Sequence, residues 1–321
     1  MIQRSPAFPR VTSGGDPGYL LSIVGLIACK DASLFEAFSC PWTPSSTFYK
    51  LLYIERCVFA ELVTSLFKGT VPMDPVHDNW ERFCRHHVGD WHGVWTRYSY
   101  AGDALESFRC IRSFHVSTDA SVLTHQNHYA YADGRRETKT FGPYTPSTTR
   151  ALFLDQSFSW GSPRVDVEAP FFFETGFRWA DRRMSCVVQY SGSDLWQRFV
   201  VIMEHVGRFA DGPSFTPVPA GTHGDHGTRQ TMAPDRHVSA PATIPWKRLE
   251  DLDEHSLTCR LPEGVAISVP QRLEPGTPFR GIVEWAVDGT VQRGIRVYDA
   301  TGFAHFSLDM HVCSPQCART Q

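Results

Sequence analysis

Within Phe108-Arg-Cys-Ile-Arg112-Ser-Phe114 two arginines stand three residues apart among apolar side chains. A guanidinium on a strand lining an apolar interior is costly unless paired, and it can take a carboxylate, a ligand's included, through two parallel hydrogen bonds. Residues three apart on a strand point to opposite faces, so at least one of Arg109 and Arg112 turns toward solvent. Fourteen histidines offer the next chemistry. His86-His87 and His92 bracket a Gly-x-Trp segment, His125 and His128 share a strand with opposite parity, and His223 and His226 stand in a glycine-rich stretch. Metal binding needs imidazoles converging with a carboxylate or thiolate. Opposed faces and an unsupported loop do not converge, so no metal site and no cofactor is expected.

The chain holds no Gly-x-Ser-x-Gly elbow, phosphate-binding glycine loop, His-Glu-x-x-His or Cys-x-x-Cys pair, which removes support for hydrolase, kinase and zinc-protease readings. Acids such as Asp166/Glu168 and Asp251/Asp253/Glu254 fall near strand ends and helix starts, where carboxylates are usually solvated. Rings remain. Trp95, Phe114, Tyr129, Tyr131, Phe158, Phe171 and Phe173 supply apolar bodies for a ligand cavity. With Arg109, Arg112 and His128 they form the candidate ligand-binding set.

These residues need strands to hold them. Strand candidates run in quick succession from Trp91 to His205, separated by turn signals such as Tyr100-Ala-Gly-Asp, Ala132-Asp-Gly and Ser191-Gly-Ser. Such spacing predicts an antiparallel meander and hence a barrel or sandwich. A second, shorter meander spans Ser256 to His311. The two share a hairpin pattern at an offset of 106 to 108 residues, which sets Trp179 on Trp285, Tyr190 on Tyr298, Met203 near Met310 and His205 on His311. Self-similarity of this kind suggests a duplicated unit. The aromatic share of 13% also leans toward sheet. A net charge of -3 without a Lys/Arg run argues against a nucleic-acid partner.

The boundaries follow from composition. Residues 1–72 form an N-terminal extension or targeting segment: residues 1–15 are basic and acid-free, Tyr19 to Cys29 is apolar, and Phe48 to Phe67 has helical spacing. An eleven-residue apolar run is too short to span a bilayer, which takes about 20 residues. No integral membrane span is expected. Asp78-Asn79 caps a helix of about two turns over Trp80 to His87. Residues 73–210 make the first barrel, and 244–321 the second unit. Between them 211–243, rich in Pro, Gly, Thr and His, reads as a flexible loop. With fewer strands, the second unit is either incomplete or completed by strands of the first. Nine cysteines, an odd number without a disulfide spacing, point to a reducing compartment; Cys313 and Cys317 form an isolated close pair.

Trp80-x-x-Phe, Gly89-x-Trp91-x-Gly93 with Trp95-Thr, the Phe108 to Phe114 strand, Gly176-Phe-Arg-x-x-Asp-Arg182-Arg and Leu261-Pro-x-Gly264 with Arg296-x-Tyr298 together resemble a lipocalin-like group of the calycin superfamily. That group has two barrels, occurs in cyanobacteria and photosynthetic eukaryotes, and is described as a domain of unknown function. The resemblance covers about residues 77 to 312. It implies an all-β fold of two lipocalin-like antiparallel barrels, with a partly helical N-terminal extension. It also implies a small apolar or amphipathic ligand, such as a fatty acid, an isoprenoid or carotenoid, or a tetrapyrrole, bound without catalysis. Two alternatives stay open: an isomerase, cyclase or chromophore lyase using Tyr131, His128 or Arg112, and a protein-interaction scaffold whose partner is unknown. The association with photosynthetic organisms and the leader-like residues 1–29 favour a plastid or the cytoplasm.

Overall fold

The computed structural model describes residues 74–166, 168–191, 195–210 and 223–313. The expected N-terminal extension, residues 211–222 of the expected 211–243 loop and Cys317 lie outside them. One helix, α1 (Pro75–His87), precedes sixteen strands. Asp74 caps it, its side chain accepting the Val76 N–H at 3.1 Å, with Pro75 in the first turn. The helix therefore begins one turn earlier than Asp78-Asn79 suggests, because proline, which lacks an N–H, suits the first helical position. Its buried face is Asn79, Trp80, Phe83 and His87.

The first sheet contains β1 (Gly89–Ser99), β2 (Ala104–Val116), β3 (Leu123–Ala130), β4 (Arg136–Tyr144), β5 (Leu152–Leu154), β6 (Ser157–Gly161), β7 (Phe171–Trp179), β8 (Arg182–Ser191) and β9 (Leu195–Val206). The second contains β10 (His223–Met232), β11 (Ala242–Pro245), β12 (Ser256–Arg260), β13 (Val265–Pro270), β14 (Phe279–Val287), β15 (Thr290–Asp299) and β16 (Gly302–Cys313). Spatial orders are β4-β3-β2-β1-β9-β8-β7-β6-β5 and β11-β10-β16-β15-β14-β13-β12. The protein is thus all-β, with a single α-helix ahead of two antiparallel sheets among the described residues.

The first sheet must curl. Its edges, β4 and β5, are adjacent in sequence. Laid flat they would lie about 38 Å apart at about 4.8 Å per strand step. The eight residue steps from Tyr144 to Leu152 reach at most about 29 Å. Part of that link is also a turn, with Thr149 N–H donating to Thr145 O at 3.0 Å. The result is a half-barrel whose concave face is partly covered by α1 and the 145–151 link.

Strand alternation gives the two faces different tasks. Phe171, Phe173 and Phe177 of β7, Met184, Cys186, Val188 and Tyr190 of β8, and Phe199 and Val201 of β9 bury against Val265, Ile267, Val283, Trp285, Tyr298 and Phe306 of the second sheet. Close approach is built in: a Cβ at Gly281 would lie 2.5 Å from the Phe173 ring. Polar ties lock the same seam. Tyr190 donates to Pro270 O at 2.7 Å, Tyr298 to Ser162 O at 3.0 Å, and Arg182 pairs with Asp288. Full burial of each such ring is worth about 2–3 kcal/mol.

Two expectations change. The 211–243 stretch is not a loop throughout, since β10 and the start of β11 fall within it. β10 pairs with β16, and Arg229 holds Asp309 through two hydrogen bonds of 2.6 and 2.8 Å. The second sheet therefore has its own seven strands and borrows none from the first. The repeat also shifts in register. Phe171 faces Tyr190 as Phe279 faces Tyr298, an offset of 108, and Met184 faces Met203 as Gln292 faces Met310, which confirms the Tyr and Met matches. In that register Trp179 falls on Val287 and His205 on Val312, so the Trp and His matches are coincidences of spacing.

Candidate functional site

The concave face of the first sheet carries the chemistry. On β2 the inward residues are Phe108, Cys110, Arg112 and Phe114; on β7, β8 and β9 the same face presents Glu174, Arg183 and Glu204. Glu204 fits because β1 has glycine beside it: a Cβ at Gly93 would stand 2.4 Å from Glu204 Cγ. The second glycine of the Gly-x-Trp-x-Gly stretch is therefore spatial in purpose.

Two arginines and two carboxylates form a buried, charge-balanced chain. Arg112 Nη1 donates to Glu174 Oε1 at 3.2 Å, and Arg112 Nε stands 3.2 Å from Glu204 Oε1. Arg183 Nε donates to Glu204 Oε2 at 2.7 Å, and Trp160 Nε1 donates to Glu174 Oε2 at 2.7 Å. Both guanidiniums also lie over rings, Arg112 at 4.9 Å from Trp95 and Arg183 at 4.3 Å from Trp91. Burial works against the charge of Arg112, but Glu204 and Glu174 outweigh it and hold the group above its ordinary range. Burial, with Arg112 nearby, brings Arg183 down to about 10, still cationic at neutral pH. Glu174 is opposed by burial, yet Arg112 and the Trp160 hydrogen bond keep it below the usual carboxylate range.

The chain is incompletely satisfied. Arg112 Nη2 and Arg183 Nη2 are buried without a hydrogen-bond partner, and so are both ring nitrogens of His87. All three side chains line one cavity of about 270 Å³, walled by Phe83, Phe114, Phe153 and Phe158 and rimmed by Tyr144, Thr148, Arg150 and Trp160. Buried donors normally find acceptors. Here the side chains with unpaired donors line a hollow walled by four phenylalanines, the arrangement that receives an oxygen-bearing head with an apolar body.

His87 sits among Phe83, Phe153 and Phe158 rings. Burial first, and Arg183 second, push it well below 6.5, so it is neutral at physiological pH. A histidine held neutral in the fold but protonated in the unfolded chain contributes stability above its unfolded value that is lost as pH falls. Stability is therefore expected to begin declining as pH drops through about 6.5, before carboxylates such as Glu174 protonate. His87→Phe should weaken that upper limb in urea titrations at stepped pH, the remainder coming from other histidines lowered by burial, His125 above all. An unchanged pH profile in the variant would exclude His87 as its source.

The candidate set separates by strand parity. Arg112, Phe114 and Phe158 line the cavity. Trp95 sits beside it, its ring occupied by Arg112. Tyr129 and Tyr131 extend the same side as a second ring cluster with Trp95 and Phe108, outside the cavity wall. Arg109 is exposed and lies 5.1 Å from the Phe209 ring, on the other face. His128 also turns outward, with Nδ1 3.1 Å from Thr138 Oγ1. Phe171 and Phe173 are buried between the sheets and do not line the cavity. From the sequence His87 is weighed only as a metal ligand and set aside, and Glu174, Arg183 and Glu204 are not singled out. The available signal was one acid or one arginine at an inward position of each of three apolar strands. Among the described residues no group of His, Cys, Asp or Glu is arranged to hold a metal, and Cys110 is an inert thiol, pushed up to about 12 by burial.

Residues 76–209 match the family described as Domain of unknown function (DUF3598), N-terminal. The chain is similar to the crystal structure of a protein with unknown function from the DUF3598 family of Nostoc punctiforme PCC 73102, at 18% identity and a TM-score of 0.60, over 74% of this chain and 99% of that one. This likeness is one of fold. A putative outer membrane protein from Bacteroides fragilis NCTC 9343 aligns over 75% of this chain and 100% of its own at 6% identity, but its TM-score of 0.23 carries no argument. No curated protein sequence matches the chain. Among the described residues no helix is long and apolar enough to cross a membrane.

Proposed function

We propose that the chain binds a small amphipathic molecule in the concave face of its first sheet, with an oxygen-bearing head on Arg112 and Arg183 and an apolar body against Phe83, Phe114, Phe153 and Phe158. The observation that carries this reading is that Arg112 and Arg183, each with a buried, unpartnered Nη2 group, both line one hollow walled by four phenylalanines. Arg112 and Arg183 are already balanced by Glu174 and Glu204, so the head needs to supply acceptor oxygens more than charge. A carboxylic acid, a carbonyl-bearing isoprenoid or carotenoid, or a tetrapyrrole side chain has that chemistry. A lipocalin-like, calycin relationship and a plastid location are parts of the same proposal, supported by the motif resemblance of the barrel strands and by the leader-like residues 1–29.

Native mass spectrometry of protein purified from its own source tests the reading. An added mass is expected, displaced by organic extraction and absent from Ala151→Trp, which fills the cavity from its wall. Native mass equal to the bare chain under gentle conditions, together with no uptake of octanoate by extracted protein, would sink it. A second reading, an isomerase or cyclase in the same cavity, is favoured by the neutral, unpartnered His87 imidazole. Of the residues first considered for that role, only Arg112 lines the cavity. Turnover lost in His87→Phe while ligand uptake persists would favour the enzyme over the carrier.

A further inference from the structure

The second sheet has a hollow of its own on the face equivalent to the first. In the 108-residue register the inward positions Phe172, Glu174 and Gly176 of β7 correspond to Arg280, Ile282 and Glu284 of β14, and Ser185 of β8 corresponds to Arg293 of β15. A cavity of about 350 Å³ lies there, lined among others by Arg229, Lys247, Arg280, Arg293 and Asp309, with Ile282, Ile295 and Val297 as apolar floor. Duplication has kept the hollow and changed its charge.

The first cavity's buried network balances. The second does not. Arg293 is buried and fixed by Glu284 at 2.7 and 2.8 Å and by Lys247 O at 2.9 Å, with its guanidinium 4.7 Å from the Trp246 ring. Arg229 is fixed by Asp309. Those two pairs are neutral, which leaves Lys247 and Arg280, both exposed, as the excess. Arg280 spends one nitrogen on Leu252 O at 3.2 Å. His305, also in the wall, is lowered by burial and then by Arg229 and Arg280, so it adds no charge at neutral pH. The hollow thus pairs two uncompensated cations at its mouth with an aliphatic floor.

We propose that this second cavity binds a phosphate monoester with an apolar body, the phosphate held by Arg280 and Lys247 and the body resting on Ile282, Ile295 and Val297. A phosphate monoester carries about -1.5 to -2 at pH 7, matching the two unbalanced cations, whereas a carboxylate neutralises only one. The site is independent of the ligand proposed for the first sheet.

Calorimetric titration of the full chain with octanoate, and with octyl phosphate and inorganic phosphate in saturating octanoate so that the first cavity is already filled, tests it, with Lys247→Ala/Arg280→Ala as the variant. Both residues are exposed, so the variant should fold, and an unchanged unfolding midpoint checks this. Octyl phosphate is expected to bind the native chain at least about tenfold more tightly than inorganic phosphate, the apolar body adding burial. In the variant its affinity should fall at least about tenfold, while octanoate binding is unchanged. Arg280→Glu, which reverses the charge, should abolish octyl phosphate binding. Equal affinity for octyl phosphate in the native chain and the double variant would overturn the proposal. So would equal affinity for octyl and inorganic phosphate.

Discussion

Replacing Arg112 by methionine is expected to destabilise the fold by about 3–5 kcal/mol, the cost of leaving buried carboxylates without their counter-charge. Arg112 is the group that links Glu174 to Glu204, and all three are nearly inaccessible to solvent. Methionine keeps much of the volume, so the loss would come from charge more than from a cavity. Glu174, held below the usual carboxylate range in part by Arg112, would then take up its proton at higher pH, which makes the deficit shrink on acidification. Urea unfolding at pH 7 and pH 5 measures both effects. A loss below about 1 kcal/mol, independent of pH, would show that the network is dispensable to the fold.

Glu204→Gln should cost a similar about 3–5 kcal/mol by the opposite route. Glutamine retains shape and an acceptor oxygen for Arg183 Nε, but two neighbouring guanidiniums would then share Glu174 alone. Arg183, already brought down to about 10 by burial and by Arg112, is the group expected to yield its proton. Because Arg112 and Glu204 belong to one network, the double variant should be less damaging than the sum of the two, by at least about 1 kcal/mol. Strict additivity in that cycle would mean that the 3.2 Å approach of Arg112 to Glu204 contributes nothing.

Alternation made the strands legible. Most of the elements from Gly89 to Val206, and β12 to β16, follow from runs of β-formers between turn residues. The strand carrying Arg112 could also be read as one with an inward guanidinium. The partners could not be read, since Glu174 lies 62 residues away and the Arg183 to Glu204 pair sits on two other strands. Parity alone could not say which face was cavity and which was core. Phe171 and Phe173 look like cavity rings until the second sheet is laid on them, and Phe158 looks the same yet faces the cavity. β10 was hidden for a different reason. His223-Gly-Asp-His-Gly-Thr-Arg-Gln-Thr-Met232 has no apolar alternation, and its ordering comes from pairing with β16 and from the Arg229 to Asp309 bond, contacts made 80 residues away. The repeat was visible, but its register was not, because indels of one or two residues move a Trp or His match without changing the topology.

The cavity of the first sheet is the centre of this account, and nitrogen-detected NMR of its arginine side chains addresses it most directly. On titration of extracted protein with octanoate, the signals of Arg112 and Arg183 are predicted to shift together and saturate, while Arg109, exposed on the opposite face, stays unmoved. Octanoate that binds while both buried guanidinium signals remain in place would contradict it.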